Sequence, residues 1–97
     1  MQKVEKIKIK LKKLAPLLKE KFKVERIGIF GSYARGEAGD KSDLDILVEF
    51  CEPVGLFTFI ELENFLAQKA GIKVDLIMKD TLKLRIKDRI LNEVVYV

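Results

Sequence analysis

A glycine–serine turn, followed after ten residues by two closely spaced aspartates, most constrains how this chain folds. Gly31 and Ser32 end one β-branched apolar run, and Asp43 and Asp45 begin the next. The pattern predicts a strand, a tight turn, a polar loop and a second strand in succession. Because alternate residues of a strand point to the same face, we expect the two carboxylates about 7 Å apart on one side of a sheet.

A third acid, Asp75, lies within the next apolar run, which predicts a third strand. A carboxylate inside an apolar strand costs free energy to bury unless it is paired or bound to a metal. Three carboxylates on neighbouring strands can bind two Mg²⁺ ions, one activating an attacking hydroxyl and the other holding a triphosphate. We therefore predict that Asp43, Asp45 and Asp75 are both catalytic and metal-binding residues.

The turn before the aspartates has the features of a phosphate-binding element. Gly31 permits a close backbone approach or a positive φ, and the N–H groups at the start of a helix attract phosphate. Ser32 is predicted to cap the short helix and to hydrogen-bond a phosphate oxygen. Arg35 lies three residues further on and is predicted to reach the same phosphates. The predicted ligand is a metal–nucleoside triphosphate.

Composition excludes several other chemistries. The chain has 97 residues, no histidine and a single cysteine, Cys51, so Ser-His-Asp and Cys-His catalysis, intramolecular disulfides and cysteine zinc sites are excluded. The length predicts one small domain over residues 1–97. The sequence contains neither an apolar run of membrane-spanning length nor the apolar core of a signal peptide, so we expect a cytoplasmic protein without a membrane partner.

The remaining sequence predicts an α/β fold with a small mixed central sheet flanked by helices. Apolar residues at steps of three and four predict an amphipathic first helix, in which Pro16 should introduce a kink or begin a second helix. The other predicted elements are strands at 24–30, 44–50 and 72–78, a short helix at 32–35, helices at 57–69 and 81–93, and an edge strand at 94–97.

The first 23 residues are strongly basic, with nine lysines and two glutamates. Such a segment can bind nucleic acid or an acidic protein, or it can be the solvated face of a helix. No RNA-binding motif accompanies it, so a nucleic-acid partner is not expected.

The segment 30–36 followed by 42–48 resembles the signature of the polymerase-beta-type nucleotidyltransferases, and the short chain is similar to the minimal nucleotidyltransferases (MNT) of archaea and bacteria. The resemblance implies the nucleotidyltransferase fold and Mg²⁺-dependent transfer of a nucleoside monophosphate, usually AMP from ATP, to an acceptor hydroxyl. The implied roles are triphosphate binding by Gly31 and Ser32, and metal binding by Asp43, Asp45 and Asp75.

The resemblance also implies a partner. Minimal members are commonly antitoxins of helical HEPN-domain toxins, and some add AMP to a tyrosine of the toxin. The implied function is a protein adenylyltransferase that forms a hetero-oligomer with such a toxin. The alternative is a non-catalytic binding module that masks a partner surface, to which the aromatic residues of the predicted helix at 57–69 would contribute.

Overall fold

The structure is a computed structural model that describes residues 3–97, in which helices pack on both faces of a four-stranded mixed sheet. The elements in chain order are α1 (Lys3–Phe22), β1 (Val24–Phe30), α2 (Gly31–Arg35), β2 (Leu44–Phe50), α3 (Leu56–Ala70), β3 (Val74–Met78), α4 (Leu84–Glu93) and β4 (Val95–Tyr96). This architecture confirms the predicted α/β fold, including the short edge strand.

The strands lie in the order β3-β2-β1-β4. β1 pairs antiparallel with β2 and with β4, whereas β2 and β3 are parallel. Parallel neighbours require a crossover connection, which α3 supplies. The mostly apolar sequence of β2 predicts an inner strand, and the strand order confirms this prediction.

α1 and α3 cover one face of the sheet and form the larger core. The apolar stripe of α1 points inward, while its lysines face solvent, as the periodicity predicts. The principal buried residues of this face are Ile7, Leu11, Leu18, Phe22, Ile29, Ile46, Val48, Leu62, Leu66 and Leu76. The layer formed by α1 and α3 therefore packs against one face of the inner strands.

The prediction of a second helix at Pro16 is wrong, because α1 runs as one helix from Lys3 to Phe22. Pro16 and Lys12 are both exposed. Water can therefore hydrogen-bond the Lys12 carbonyl, which a residue with an N–H at position 16 would otherwise reach. Neither α1 nor any other helix within residues 3–97 is long and apolar enough to cross a membrane.

The opposite face is covered by α4 and by the segment that leads into it, and its core cluster consists of Phe30, Leu47 and Ile90. The helix begins at Leu84, later than predicted, because Lys79–Thr81 forms a 3₁₀ turn. The Thr81 hydroxyl donates to the Met78 carbonyl oxygen at 2.8 Å and fixes this turn. The sheet is therefore thickly covered on one face and thinly covered on the other.

Candidate active site

Asp45 and Asp75 lie side by side on the thinly covered face. The parallel pairing of β2 with β3 places Asp45 opposite Asp75 near the start of both strands. Side chains alternate along a strand, so Asp45 points to the same face as Leu47, which packs against Phe30 and Ile90. The antiparallel partner of Asp45 is Phe30, the last residue before the Gly31–Ser32 turn. The sheet thus brings two predicted carboxylates to the predicted phosphate-binding turn.

Asp43 lies outside the paired strands, although its negative charge still acts on Asp45. It lies one residue before β2, and its side chain is 46% exposed with Oδ2 4.0 Å from Lys73 Nζ. No three acidic, cysteine or histidine side chains within residues 3–97 stand close enough together to hold a metal ion as they lie. The cause is geometric: only Asp45 and Asp75 are fixed by strand pairing, while Asp43 sits at the end of a loop beside a lysine.

The electrostatic environment of Asp45 favours a bound cation. Partial burial raises the pKa of the Asp45 carboxyl, and the negative charges of Asp75 and Asp43 raise that pKa further, whereas Arg35 lowers it. A bound cation would reduce the repulsion between these carboxylates and favour the ionised form of Asp45. The available donors are carboxylate oxygens, which suit Mg²⁺. The donor chemistry of this cluster therefore fits the predicted metal.

Gly31 is required by its conformation and by its distance from Asp45. Its φ is +73°, a left-handed value that other residues rarely adopt. A Cβ built on Gly31 would collide with Asp45 Oδ2. The turn therefore lies directly against the carboxylate, which is the close backbone approach that the sequence predicts.

Ser32 is not the helix cap that the sequence predicts. α2 begins one residue earlier, at Gly31, so Phe30 takes the N-cap position without a side-chain hydrogen bond. Ser32 is half-buried beside the turn, and its hydroxyl makes no hydrogen bond to any of the described residues. The hydroxyl is therefore available to a ligand such as a phosphate oxygen.

Arg35 is held by two carboxylates of the protein itself. Its Nε donates to Glu37 Oε2 at 3.1 Å, and its Nη1 donates to Glu93 Oε2 at 3.1 Å. The hydrogen bonds that the guanidinium donates to Glu37 and, to a smaller extent, to Glu93 raise its pKa above the usual value. The N–H of Gly31 donates to Glu93 Oε1 at 3.1 Å. Glu93 thus joins the end of α4 to the turn and to Arg35.

The contact of Glu93 with the turn is not among the features predicted from the sequence. Glu93 lies 62 residues after Gly31 in the chain, at the end of an amphipathic helix where an acid is unremarkable. No local motif links the two positions, because only the packing of α4 against the sheet brings them together. An alignment showing that positions 31, 35 and 93 vary together would be the signal able to reveal the contact.

Comparison with known proteins identifies the family. Residues 11–97 match the nucleotidyltransferase domain family. Over 80 residues the chain is 55% identical to protein adenylyltransferase MntA of Thermococcus cleftensis, which covers 82% of this chain and 81% of the relative. The family match includes the turn, all three aspartates and Glu93, and the named relative confirms the predicted class of enzyme.

Solved structures support the same assignment. A protein described as a minimal nucleotidyltransferase superposes with a TM-score of 0.81 at 32% identity, covering 95% of this chain and 93% of that one. A toxin–antitoxin complex with AMP-PNP gives a TM-score of 0.73 at 26% identity, covering 88% of this chain and 69% of that one.

A third structure shares the fold at lower identity. It is the MNT antitoxin complex of the tri-AMPylated Shewanella oneidensis HEPN toxin, with a TM-score of 0.67 and 22% identity, covering 93% of this chain and 70% of that one. A glycine turn packed on paired aspartates, a matching family over most of the chain and a shared fold lead to one conclusion: the chain belongs to the nucleotidyltransferase domain family.

Proposed function

We propose that this protein is a Mg²⁺-dependent protein adenylyltransferase that transfers AMP from ATP to a tyrosine hydroxyl of a HEPN-type toxin and acts as its antitoxin. The observation that carries the proposal is the Asp45–Asp75 pair lying against the Gly31–Ser32 turn. Two comparisons support it: the relative at 55% identity is named a protein adenylyltransferase, and a similar structure at 26% identity is a toxin–antitoxin complex with AMP-PNP.

Asp43, Asp45 and Asp75 would hold the Mg²⁺, which when bound neutralises phosphate charge and favours a deprotonated acceptor hydroxyl. The Gly31–Ser32 turn would hold the triphosphate through its backbone and the Ser32 hydroxyl. Arg35, the third contact predicted from the sequence, is tied to Glu37 and Glu93 at the side of this turn. The three aspartates would thus form the metal edge of the site and the Gly31–Ser32 turn its phosphate edge, and the two edges meet at Gly31.

The transfer step forms one bond and breaks one. The tyrosine oxygen attacks the α-phosphorus of ATP, a new oxygen–phosphorus bond forms, and the bond to pyrophosphate breaks. Asp75, which is exposed at the edge of the pair, is placed to accept the hydroxyl proton. ATP is the only nucleotide substrate that the step consumes, and its use is consistent with a cytoplasmic location.

The acceptor would reach the site across the thinly covered face of a single minimal domain. α4 and the short segment before it pack there, and the Leu84 side chain of α4 is 87% exposed. A protein partner can therefore lie against α4 and present a tyrosine to the aspartates without unpacking the larger core. The same face leaves room for the base of ATP, which no residue of the described core encloses.

The test is transfer of labelled AMP from ATP to a purified HEPN-type toxin encoded beside this protein, with Mg²⁺ present. The wild type should label the toxin, and a toxin whose acceptor tyrosine is replaced by phenylalanine should remain unlabelled. Asp45→Asn should abolish labelling. Asp40→Asn is the matched control, since Asp40 is a fully exposed acid of the loop before β2 and pairs, among residues 3–97, with Lys3 alone. Equal labelling by the wild type and Asp45→Asn would contradict the proposal.

A second candidate function is neutralisation by masking, without catalysis. The observation that favours it is an exposed apolar patch on α3, in which Leu56 is 70%, Phe57 81% and Ile60 42% exposed. The other aromatic residues of α3, Phe59 and Phe65, pack against the core and do not belong to the patch. If masking suffices, Asp45→Asn will still neutralise the toxin in cells, and Phe57→Ser will not. Neutralisation lost in Asp45→Asn, with binding retained, would exclude masking.

A further inference from the structure

We propose that Glu93 is a positioning residue that fixes the Gly31–Ser32 turn for triphosphate binding, and that Arg35 acts through Glu93 rather than by contacting the triphosphate. This inference rests on the proposed function, because it assumes that a triphosphate binds at the turn. It assigns a role to a residue outside the turn and outside the aspartate cluster.

Glu93 is placed to hold two groups at once. Its side chain is only 18% exposed, and its carboxylate accepts from a backbone donor and from a guanidinium donor. Oε1 accepts from the Gly31 N–H at 3.1 Å and from Arg35 Nη1 at 3.3 Å, while Oε2 accepts from Arg35 Nη1 at 3.1 Å. Hydrogen bonds to an ionised acceptor are roughly twice as strong as neutral ones. A half-buried carboxylate with two such donors is a rigid tie between α4 and α2.

The position of Gly31 depends on this tie. Gly31 has a left-handed backbone and lies in van der Waals contact with Asp45, so a small rotation of the turn changes its distance from the metal edge. Without Glu93, the Gly31 N–H would lose its partner and the turn would be free to rotate. Misplacement of a phosphate-binding turn by a fraction of an ångström weakens binding, because the favourable geometry must then be restored when the ligand binds.

Arg35 is poorly placed to attract a triphosphate by itself. Its charge is already balanced by Glu37 and Glu93, both of which are in hydrogen-bonding contact with it. To contact phosphate, the guanidinium would have to leave these carboxylates. Its clearest role is to keep the Glu93 carboxylate in place.

Electrostatics alone predicts the opposite effect, which makes the test diagnostic. Glu93 carries a negative charge close to a site for a highly charged anion, and it raises the pKa of nearby Asp45. Removing that charge should therefore strengthen triphosphate binding if charge were the only factor. A positioning role predicts weaker binding. The sign of the change separates the two explanations.

The experiment measures the dissociation constant of a non-hydrolysable ATP analogue with Mg²⁺ by calorimetry, using the full chain. In either orientation, glutamine at position 93 puts an N–H₂ donor within 3.3 Å of the donor Arg35 Nη1 and loses the charge, so Glu93→Gln should weaken binding on the order of 10-fold. The matched control is Glu37→Gln, which removes the same charge from the same arginine without touching Gly31; its affinity should equal or slightly exceed that of the wild type. Thermal unfolding of each variant verifies that it is folded.

The outcomes separate this inference from the proposed function. If the wild type binds no triphosphate, both are overturned. If the wild type binds and Glu93→Gln binds equally well or more tightly, only the role of Glu93 is overturned. An equal loss in Glu37→Gln would also overturn it, since the loss would then come from the contact with Arg35 that both glutamates share rather than from the tie to Gly31.

Arg35→Gln tests the same idea independently of how well the Glu93 variant folds. If Arg35 acts through Glu93, Arg35→Gln should weaken binding less than Glu93→Gln does, and the double variant should bind no worse than Glu93→Gln. A larger loss in Arg35→Gln, with additive losses in the double variant, would show direct contact between Arg35 and the triphosphate and overturn the proposal.

Discussion

The two faces of the sheet differ in what their side chains do. On the face covered by α1 and α3, β2 contributes Leu44, Ile46 and Val48, all of which are buried in the larger core. On the face covered by α4, the same strand contributes Asp45, Leu47 and Glu49, of which only Leu47 is fully buried. Because its side chains point alternately to the two faces, this one strand places apolar residues in the larger core and carboxylates on the opposite face.

This difference shows how so short a chain can support both a core and an exposed charged cluster. Polar groups that are buried without partners cost free energy, so a site of clustered carboxylates must lie where packing is thin. The second face has only a three-residue buried cluster, and its charges remain close to solvent. The first face compensates by packing two long helices on the same strands. The comparison predicts that substitutions on the two faces will have different kinds of effect.

The largest expected effect separates activity from stability on the thin face. Asp45→Asn should reduce AMP transfer by at least about 10³-fold, as expected when a metal-binding catalytic carboxylate is lost. The same change should raise the melting temperature by a few degrees, because it removes a charge that burial and neighbouring acids disfavour. Labelling assays and calorimetric unfolding of one preparation measure both. A fall in melting temperature together with activity would show that Asp45 supports the fold instead.

The next effect compares the two cores directly. Leu66→Ala removes a fully buried side chain from the thick face and should cost about 4 kcal/mol of unfolding free energy. Ile90→Ala, in the small cluster beneath α4, should cost about 2 kcal/mol, because α4 can collapse toward the sheet and reduce the cavity. Urea unfolding of both variants gives the two values. Equal costs would mean that the thin face is as tightly packed as the thick one.

A smaller effect is the stabilisation that Mg²⁺ should give by binding to the carboxylates of the thinly covered face. At ten times its dissociation constant, the ion should stabilise the folded protein by about 1.4 kcal/mol, a shift of several degrees in melting temperature. The shift should be absent in Asp45→Asn and unchanged in Asp40→Asn, whose carboxylate lies outside the cluster. A shift of the same size in all three proteins would indicate non-specific binding.

The smallest effect is the pH dependence caused by Asp45. Its folded-state pKa is raised, so the folded state binds this proton more tightly than the unfolded state does. Its contribution to stability is therefore present below the ordinary carboxyl pKa of about 3.9 and is lost as the pH rises through the higher folded-state value. The stability advantage of Asp45→Asn over the wild type should accordingly be near zero in acid and grow toward neutrality. An advantage that does not change with pH would mean that charge is not its cause.

Local patterns predicted most of the fold. The stripe along α1, the apolar run of β2 and the glycine after α3 each depend on neighbouring residues, and each was confirmed in the structure. The same is true of Gly31, whose close approach to Asp45 follows from its place between two strands that pair. Periodicity and turn chemistry are local properties, so a single sequence contains them.

The features that the sequence did not predict depend on contacts between distant parts of the chain or on competition between local preferences. The continuity of α1 through Pro16 depends on solvent reaching a free carbonyl, and the start of α2 at Gly31 moved the cap from Ser32 to Phe30. Asp43 lies one residue before β2, where no strand pairing fixes it and Lys73 is its neighbour. The tie between Glu93 and Arg35 depends on the docking of α4, which no local pattern encodes. The family resemblance added the reaction and the partner, which the residues alone left open.

The tie from Glu93 to Gly31 has a consequence for the way the protein is made. The two residues are 62 positions apart, so the turn, Asp43 and Asp45 are synthesised long before Glu93. The thick core involves α1, α3 and the first three strands, and it can assemble as they appear. The turn gains its last restraint only when α4 docks. A nascent chain would thus acquire its hydrophobic core first and a fully ordered nucleotide site last.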